Sequence, residues 1–349
     1  DRRNLATVIA ALSADPRISR PQPNYLYWKS DDGAASAAAA VSSTAQTLAA
    51  DPASFSLQYA LLKLGARDAH TIARGRGTLV AVIDSGIDID HGDLQGTVAD
   101  GFDAVAEDPR FGAAETSLKD SHGTAIAGII SARGLTNGIA PGARLLNARA
   151  FSPGLAGDTA GATTMRIMRS LDWSIKRGAR IVNMSFVGPR DGYVQRAIAM
   201  AMTRGAIVVA AAGNNGANAR AAYPAAYKGV LAVTATDAKD ALYEKANRGA
   251  YVAIAAPGVE VFVPALGDTH QIQSGTSFAA AYVSGTIALL LEREPKLSAE
   301  EVRAAIMSAA DDLGAPGQDE LFGAGRVNPV ATLLARQQQR ASGTAIAKR

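Results

Sequence analysis

The stretch "TLVAVIDSGIDIDHGDL", residues 78–94, carries after Thr78 five uninterrupted apolar residues, Leu79 to Ile83, a run that stops at an acid, Asp84. A short run that is apolar on both faces is a strand buried on both sides, the kind found in parallel sheets. Four further runs share this character: "ARLLNARA" (143–150), "ARIVNMSF" (179–186), "AIVVAAAG" (206–213) and "GVLAVTAT" (229–236). Helical patterns separate several of them, in "HGTAIAGIISARG", "TTMRIMRSLDWSIKRG" and "YVQRAIAMAMTRG". Buried strands alternating with helices predict an α/β fold, a three-layer doubly wound and mostly parallel sheet with helices on both faces. Ligands of such sheets bind beyond the carboxyl ends of the strands, so chemistry is expected there.

The 349 residues suffice for one large α/β domain or two modest ones. A hydrophobic fraction of 48% with 19% charged residues is that of a globular chain, and the few aromatics leave its core to Ala, Val, Ile and Leu. There is no cysteine, which excludes disulfides, thiolate zinc sites and a cysteine nucleophile. No apolar run has the length of a membrane span. The net charge of +3 invites a nucleic-acid reading, but residues 336–349 carry +4, and the remainder sums to −1. A near-neutral body with a basic tail is not a footprint for nucleic acid.

Four regions follow one another. Residues 1–28 read as a helix, "RNLATVIAALSADPR", and an extended segment in which Pro21 and Pro23 forbid helix. Two such elements cannot bury a core alone and must dock elsewhere. Residues 29–54 are Ala/Ser-rich, an exposed linker or an alanine-rich helix. Residues 55–335 hold the α/β pattern, and 336–349 form a polar basic tail. The chain starts at Asp1 rather than Met, so it is expected to be a processed or trimmed form, exported with its signal already removed.

Four positions stand out at strand ends and helix starts. Asp84 either caps the turn after its strand or orients a histidine. Of the four histidines, His122 in "DSHGTAIAGII" opens a buried helix of small residues, beside a glycine that admits close backbone approach. His91 reads as a structural hydrogen-bond donor, and His70 and His270 carry no signal. Asn214 in "AAAGNNG" is a turn residue or an amide donor. Ser277 in "SGTSFAAAYVSG" either caps a helix or is a nucleophile at a helix N-terminus, where free N–H groups stabilise negative charge. A serine nucleophile needs an oriented base and an oxyanion donor.

Together these blocks resemble the signature of the subtilisin-like serine proteases, in the order Asp, His, Ser. The resemblance runs from about residue 55 to 335 and takes in the closing "FGAGRVNP" at 322–329. It implies a serine endopeptidase with Ser277 as nucleophile, His122 as general base and acid, Asp84 as the residue that fixes the imidazole, and Asn214 as oxyanion donor. It implies that Ser185, Phe186, Val187 and Gly188 pair with an extended peptide. It also implies that Ala211, Ala212, Gly213 and Ala222 line a pocket for an apolar side chain at the cleavage position, and that the Tyr223-Pro224 bond is cis. Residues 1–28 resemble the last helix and strand of the family's inhibitory pro-segment. The partners implied are polypeptide substrates and the chain's own pro-segment, with the maturation site in the linker.

No cofactor is implied for catalysis, but structural calcium is common in the family. Asp93 aligns with a frequent calcium ligand, although "SARGLTNGIAP" is shorter than the loop that usually completes the site. Asp100, Asp103 and Asp108 form a second acidic cluster, read as a solvated turn. Ala125, Phe278 and Ala281 stand where the family often has histidine, methionine and proline. Phe278 removes an oxidisable sulfur beside the nucleophile, and Ala281 relaxes a backbone constraint near it. The other reading is a peptide-binding protein on the same fold with weak or no turnover.

Overall fold

The computed structural model describes residues 4–29, 57–106, 118–156 and 159–335. The linker after Lys29, Asp108 and the basic tail lie outside these residues. In chain order the elements are α1 (Leu5–Ser13), β1 (Leu26–Lys29), α2 (Tyr59–Lys63), α3 (Ala66–Ile72), β2 (Leu79–Asp84), β3 (Val98–Asp103), α4 (His122–Ser131), β4 (Arg144–Arg149), β5 (Ser152–Ala156) and β6 (Thr159–Thr163). They continue with α5 (Thr164–Lys176), β7 (Ile181–Met184), β8 (Phe186–Val187), α6 (Gly192–Thr203), β9 (Ile207–Ala211) and β10 (Leu231–Thr236). Last come β11 (Ile254–Pro257), β12 (Val261–Ala265), β13 (Thr269–Gln273), α7 (Thr276–Arg293) and α8 (Ala299–Ser308).

Seven strands form one sheet in the order β11-β10-β9-β7-β2-β4-β3, and every pairing in it is parallel. Side chains alternate across a strand. Val80 and Val82 therefore join one core with α4 and α7, while Ala81 and Ile83 join the other with α5 and α6. Three layers result, as the sequence predicts. The chain moves from β2 outward to β3 and β4, then returns to the other side of β2 through β7 and on to β11. The direction reverses around β2, so the carboxyl end of β2 is the topological switch point. Asp84 is its last residue.

Helix α7 runs through the interior with nearly all its residues buried. Its Ala and Gly content lets neighbouring backbones pack closely against it. Ala281 lies inside this helix and is fully buried, and the helix is continuous through it. In regular α geometry its N–H reaches the carbonyl four residues back, that of Ser277. Proline there would delete that bond.

Edge strand β3 carries no run of apolar residues, which hides it in the sequence. Its acids are ion-paired rather than merely solvated: Asp100 contacts Arg177 at 2.9 Å and Asp103 contacts Arg149 at 2.8 Å. The N-terminal segment docks by its strand, since α1 buries no residue. β1 runs one residue further than the sequence boundary, to Lys29. It lies between β6 and β8 in a second, antiparallel sheet of order β5-β6-β1-β8.

Gly123, the second residue of α4, fixes how close that helix comes to the β2 turn. A Cβ there would sit 2.2 Å from the Gly86 carbonyl oxygen, a backbone atom that cannot step aside. Gly123→Ala in a Ser277→Ala background, which prevents self-digestion, is expected to lose about 1–3 kcal/mol or more in denaturant unfolding. An unchanged midpoint would show that α4 is free to back away.

Candidate active site

The end of β2, the start of α4 and the start of α7 meet above the switch point. Asp84 and His122 are both buried, with His122 Nδ1 2.8 Å from Asp84 Oδ1. A carboxylate only accepts, so Nδ1 carries the hydrogen of the bond and Nε2 is the acceptor nitrogen of the neutral ring. The Ser85 amide donates to the same oxygen at 2.7 Å. Ser85 Oγ in turn accepts from the Gly123 amide at 3.1 Å, tying the turn after β2 to the first turn of α4. On the other side, the Phe278 ring packs 5.6 Å from the His122 ring, which brings the first turn of α7 alongside the imidazole.

Ser277 is buried in that first turn. Its hydroxyl donates to the Ser185 carbonyl at 3.2 Å, and Ser185 Oγ donates back to the Ser277 carbonyl at 3.1 Å. Ser185 Oγ also accepts from Asn183 Nδ2 at 2.8 Å, and Asn183 Oδ1 accepts from Ser284 Oγ at 3.0 Å. This ladder joins β7 and β8 to α7 from beneath. Nothing in the sequence around Asn183 and Ser284 marks them as part of a site.

Asn214 follows β9. Its Oδ1 accepts from the Thr276 amide at 3.1 Å and the Thr276 hydroxyl at 2.9 Å. Anchoring the oxygen on α7 leaves the Nδ2 end as the amide's donor end. Ala211, Ala212 and Gly213, at and just after the end of β9, are buried, as is Ala222, beside a cis Tyr223-Pro224 bond. Phe186 and Val187 pair with β1, while Ser185 serves the ladder and Gly188 exchanges hydrogen bonds with Tyr223.

β1 brings two further acids into contact with its inward side chains. Tyr27 Oη lies 3.1 Å from Asp191 Oδ2, and Lys29 Nζ lies 2.5 Å from Asp120 Oδ2. Asp120 Oδ1 accepts from the His122 amide at 2.9 Å, which places Lys29 next to the start of α4. Burial alone would raise the Asp120 carboxyl. The Lys29 ammonium and His122 outweigh it and hold the group below the usual carboxylate value. In sequence, Asp120 is part of the "DSHGT" block and Asp191 precedes a helix, a position that reads only as a cap.

Asp93 does not fit the calcium role that the resemblance suggests. The amides of Leu135 (2.6 Å) and Thr136 (2.9 Å) donate to its carboxylate, as does the Thr136 hydroxyl. His270 Nε2 lies 2.8 Å away on the same carboxylate. Its oxygens are thus met by protons, whereas calcium collects six to eight oxygen ligands. Among the described residues, no group of three or more His, Asp or Glu is arranged to hold a metal. His91 is structural, as expected: Nδ1 accepts from the Asp93 amide at 3.0 Å and Nε2 meets the Thr269 carbonyl at 3.0 Å.

Comparison with known proteins gives the family and the fold. Residues 75–325 match the Peptidase_S8 subtilase family. The chain is 34% identical over 287 residues to thermitase of Thermoactinomyces vulgaris, covering 80% of this chain and 96% of that one. It is 32% identical over 341 residues to a thermophilic serine proteinase of Bacillus sp. (strain AK1), covering 93% and 75%. The crystal structure of fervidolysin from Fervidobacterium pennivorans, a keratinolytic enzyme related to subtilisin, superposes with a TM-score of 0.72 at 28% identity. That match covers 84% of this chain and 47% of fervidolysin, so the chain spans about half its length.

Burial would raise the Asp93 carboxyl, but the hydrogen bonds from His270 and Thr136 outweigh it and hold it below the ordinary 3.8. A depressed carboxyl stabilises fully above the unfolded value and loses that contribution as pH falls through the folded one. The difference in Tm between the chain and Asp93→Asn is therefore expected to stay constant above about pH 5 and to shrink below about pH 4. A difference independent of pH in that range would remove the carboxylate's charge from the account.

Proposed function

The chain belongs to the subtilase family and is a hydrolase that cleaves peptide bonds; from that premise we propose that Asp84, His122 and Ser277 are its catalytic triad. The observation that carries this is the 2.8 Å contact between His122 Nδ1 and Asp84 Oδ1 at the switch point, with the first turn of α7 packed beside the same ring.

In the resting site the Ser277 hydroxyl rests on the Ser185 carbonyl. One neutral hydrogen bond contributes about 1 kcal/mol net, so turning the hydroxyl toward the imidazole costs little. Ser277 Oγ then attacks the scissile carbonyl carbon while His122 Nε2 takes its proton. The carbonyl electrons become an oxyanion, held by the Ser277 amide at the helix N-terminus and by Asn214 Nδ2. Collapse breaks the C–N bond, and His122 gives its proton to the leaving amine. Water, deprotonated by His122, then attacks the acyl-enzyme. The carboxyl product leaves as Ser277 Oγ regains its proton. Asp84 keeps the ring in one tautomer and stabilises the imidazolium. No cofactor takes part in these steps.

Substrate lies as an added strand against β8, as β1 does. Ala211, Ala212, Gly213 and Ala222 supply small uncharged walls, which suit an apolar side chain at the cleavage position. Residues 1–28 are the end of an inhibitory pro-segment seated in that groove, and maturation cuts within residues 29–54. The catalytic domain spans residues 55–335. The enzyme works after export; among the described residues no helix is long and apolar enough to cross a membrane, and one relative is named as a minor extracellular protease, Epr of Bacillus subtilis.

A fluorophosphonate probe is expected to label the chain and to fail on Ser277→Ala. Correctly folded protein that resists labelling would leave a peptide-binding role. Asn214→Ala is expected to lower kcat by about 10²–10³ with little change in KM, the scale known for this donor in subtilisin itself. An unchanged kcat would place the oxyanion elsewhere. Peptide-library cleavage is expected to favour apolar residues at the cleaved position, and strict selection of Arg or Lys there would refute the pocket.

A further inference from the structure

Strand β1 turns alternate side chains toward and away from the protein. Trp28 is 39% exposed, while Tyr27 is 0% exposed and Lys29's side chain is only 10% exposed. The Tyr27 ring enters a slot walled by Phe186, edge-on at 5.8 Å. The slot exists because position 188 is glycine: a Cβ there would lie 2.3 Å from Tyr27 Cδ1. At its end is Asp191, itself 0% exposed.

Asp191 is held by the scaffold. Oδ1 accepts from the amides of Tyr193 (2.8 Å) and Val194 (3.2 Å), and Oδ2 accepts from Thr164 Oγ1 at 2.6 Å. The Tyr227 hydroxyl accepts from the Asp191 amide at 2.8 Å and donates to its carbonyl at 2.9 Å. Two further donors come from the N-terminal segment: Gln22 Nε2 to Oδ1 at 2.6 Å and the Tyr27 hydroxyl to Oδ2 at 3.1 Å. Burial, reinforced by the Asp191 charge, pushes the Tyr27 phenol up, so it stays protonated and donates. A purely apolar side chain in this slot would bring carbon against a fixed carboxylate oxygen, which is costly.

We propose that the cleft selects polypeptides with two fixed carboxylates: Asp191 takes the hydroxyl of a tyrosine, and Asp120 takes the cation of a lysine or arginine two residues further along. The chain's own Tyr27-Trp28-Lys29 is a copy of the recognised sequence. This rests on the reading that β1 occupies the substrate's track. Small apolar walls at the cleavage position select a different, later side chain, so the two preferences coexist. Asp191 retains its scaffold donors when the hydroxyl is absent, so discrimination is expected below the extreme found where a buried partner is left bare. The Lys29–Asp120 pair is partly exposed and contributes less.

Two measurements on the full chain test this. In the Ser277→Ala background, where nothing is cleaved, Tyr27→Phe is expected to speed hydrogen exchange of the amides in β1 and β8 by about tenfold or more. Lys29→Met is expected to speed it several-fold, and Asp120→Asn to reproduce that effect without adding to it. Asparagine keeps an oxygen to accept from the His122 amide, so this variant is expected to fold. In the active chain, after self-processing, internally quenched peptides carry Tyr or Phe at one position and Lys or norleucine two further on. Tyr is expected to exceed Phe by at least about tenfold in kcat/KM, and Lys to exceed norleucine by about threefold to tenfold, the latter preference vanishing in Asp120→Asn. Equal cleavage of all four peptides sinks this proposal and leaves the protease intact. No cleavage of any peptide, with the exchange effects present, sinks the triad and leaves the recognition standing. Exchange unaffected by Tyr27→Phe and Lys29→Met sinks the recognition outright.

Discussion

The site hangs on a carboxylate at the end of a strand that is covered on both faces. Asp84 is buried, and a buried carboxylate needs hydrogen-bond donors to replace the water it has lost. Among the described residues it has the Ser85 amide and the His122 ring nitrogen at 2.8 Å. The ring can reach Asp84 only if α4 begins close to the turn after β2. That distance is set by a glycine at position 123, whose missing Cβ leaves room for the Gly86 carbonyl. The orientation of the imidazole is thus a consequence of sheet packing and one absent side chain.

The same logic carries to the other two strand ends. β9 ends at Ala211, and Asn214 just beyond it is pinned to Thr276 by its oxygen. β7 and β8 send Asn183 and Ser185 under the first turns of α7, where their hydrogen bonds reach Ser284 and Ser277. Three parallel strands therefore each hold one corner of the constellation. α7 is nearly all buried, with small residues at Ala279 to Ala281 and at Ser284 and Gly285, and it sits close enough to all three for short polar side chains to bridge the gap. Position 281 fits this pattern: a buried alanine continues the helix, and the hydrogen bonds between Ser185 and Ser277, rather than a rigid residue at 281, tie down the first turn.

The five apolar runs that define the central strands were legible because a two-faced strand leaves no polar position to confuse the reading. Asp84, His122, Asn214 and Ser277 were legible because each closes a strand or opens a helix within a run of small residues. β3 was hidden: as an edge strand it spends its acids on Arg177 and Arg149 and shows no apolar period. The partners of β1 were hidden for a different reason. Tyr27 and Asp191 are 164 positions apart, and neither carries a local pattern that points to the other. An acid before a helix looks like a cap whether or not it also closes a pocket, and Asp191 does both. His270 was silent because its hydrogen-bond partner is Asp93, on a distant turn.

One feature of the second sheet reaches beyond the site. β1 fills a gap one strand wide between β6 and β8, and pairs with both. With that strand gone, the gap presents two unpaired backbone edges to anything extended. Folded globular proteins keep their strands paired and offer such a gap nothing. A chain that has lost its fold offers it everything, copies of this same chain included. The working life of the enzyme is then bound to its own unfolded fraction. Each excursion out of the native state is an opportunity for a neighbouring copy, and what would be a reversible equilibrium becomes a one-way loss.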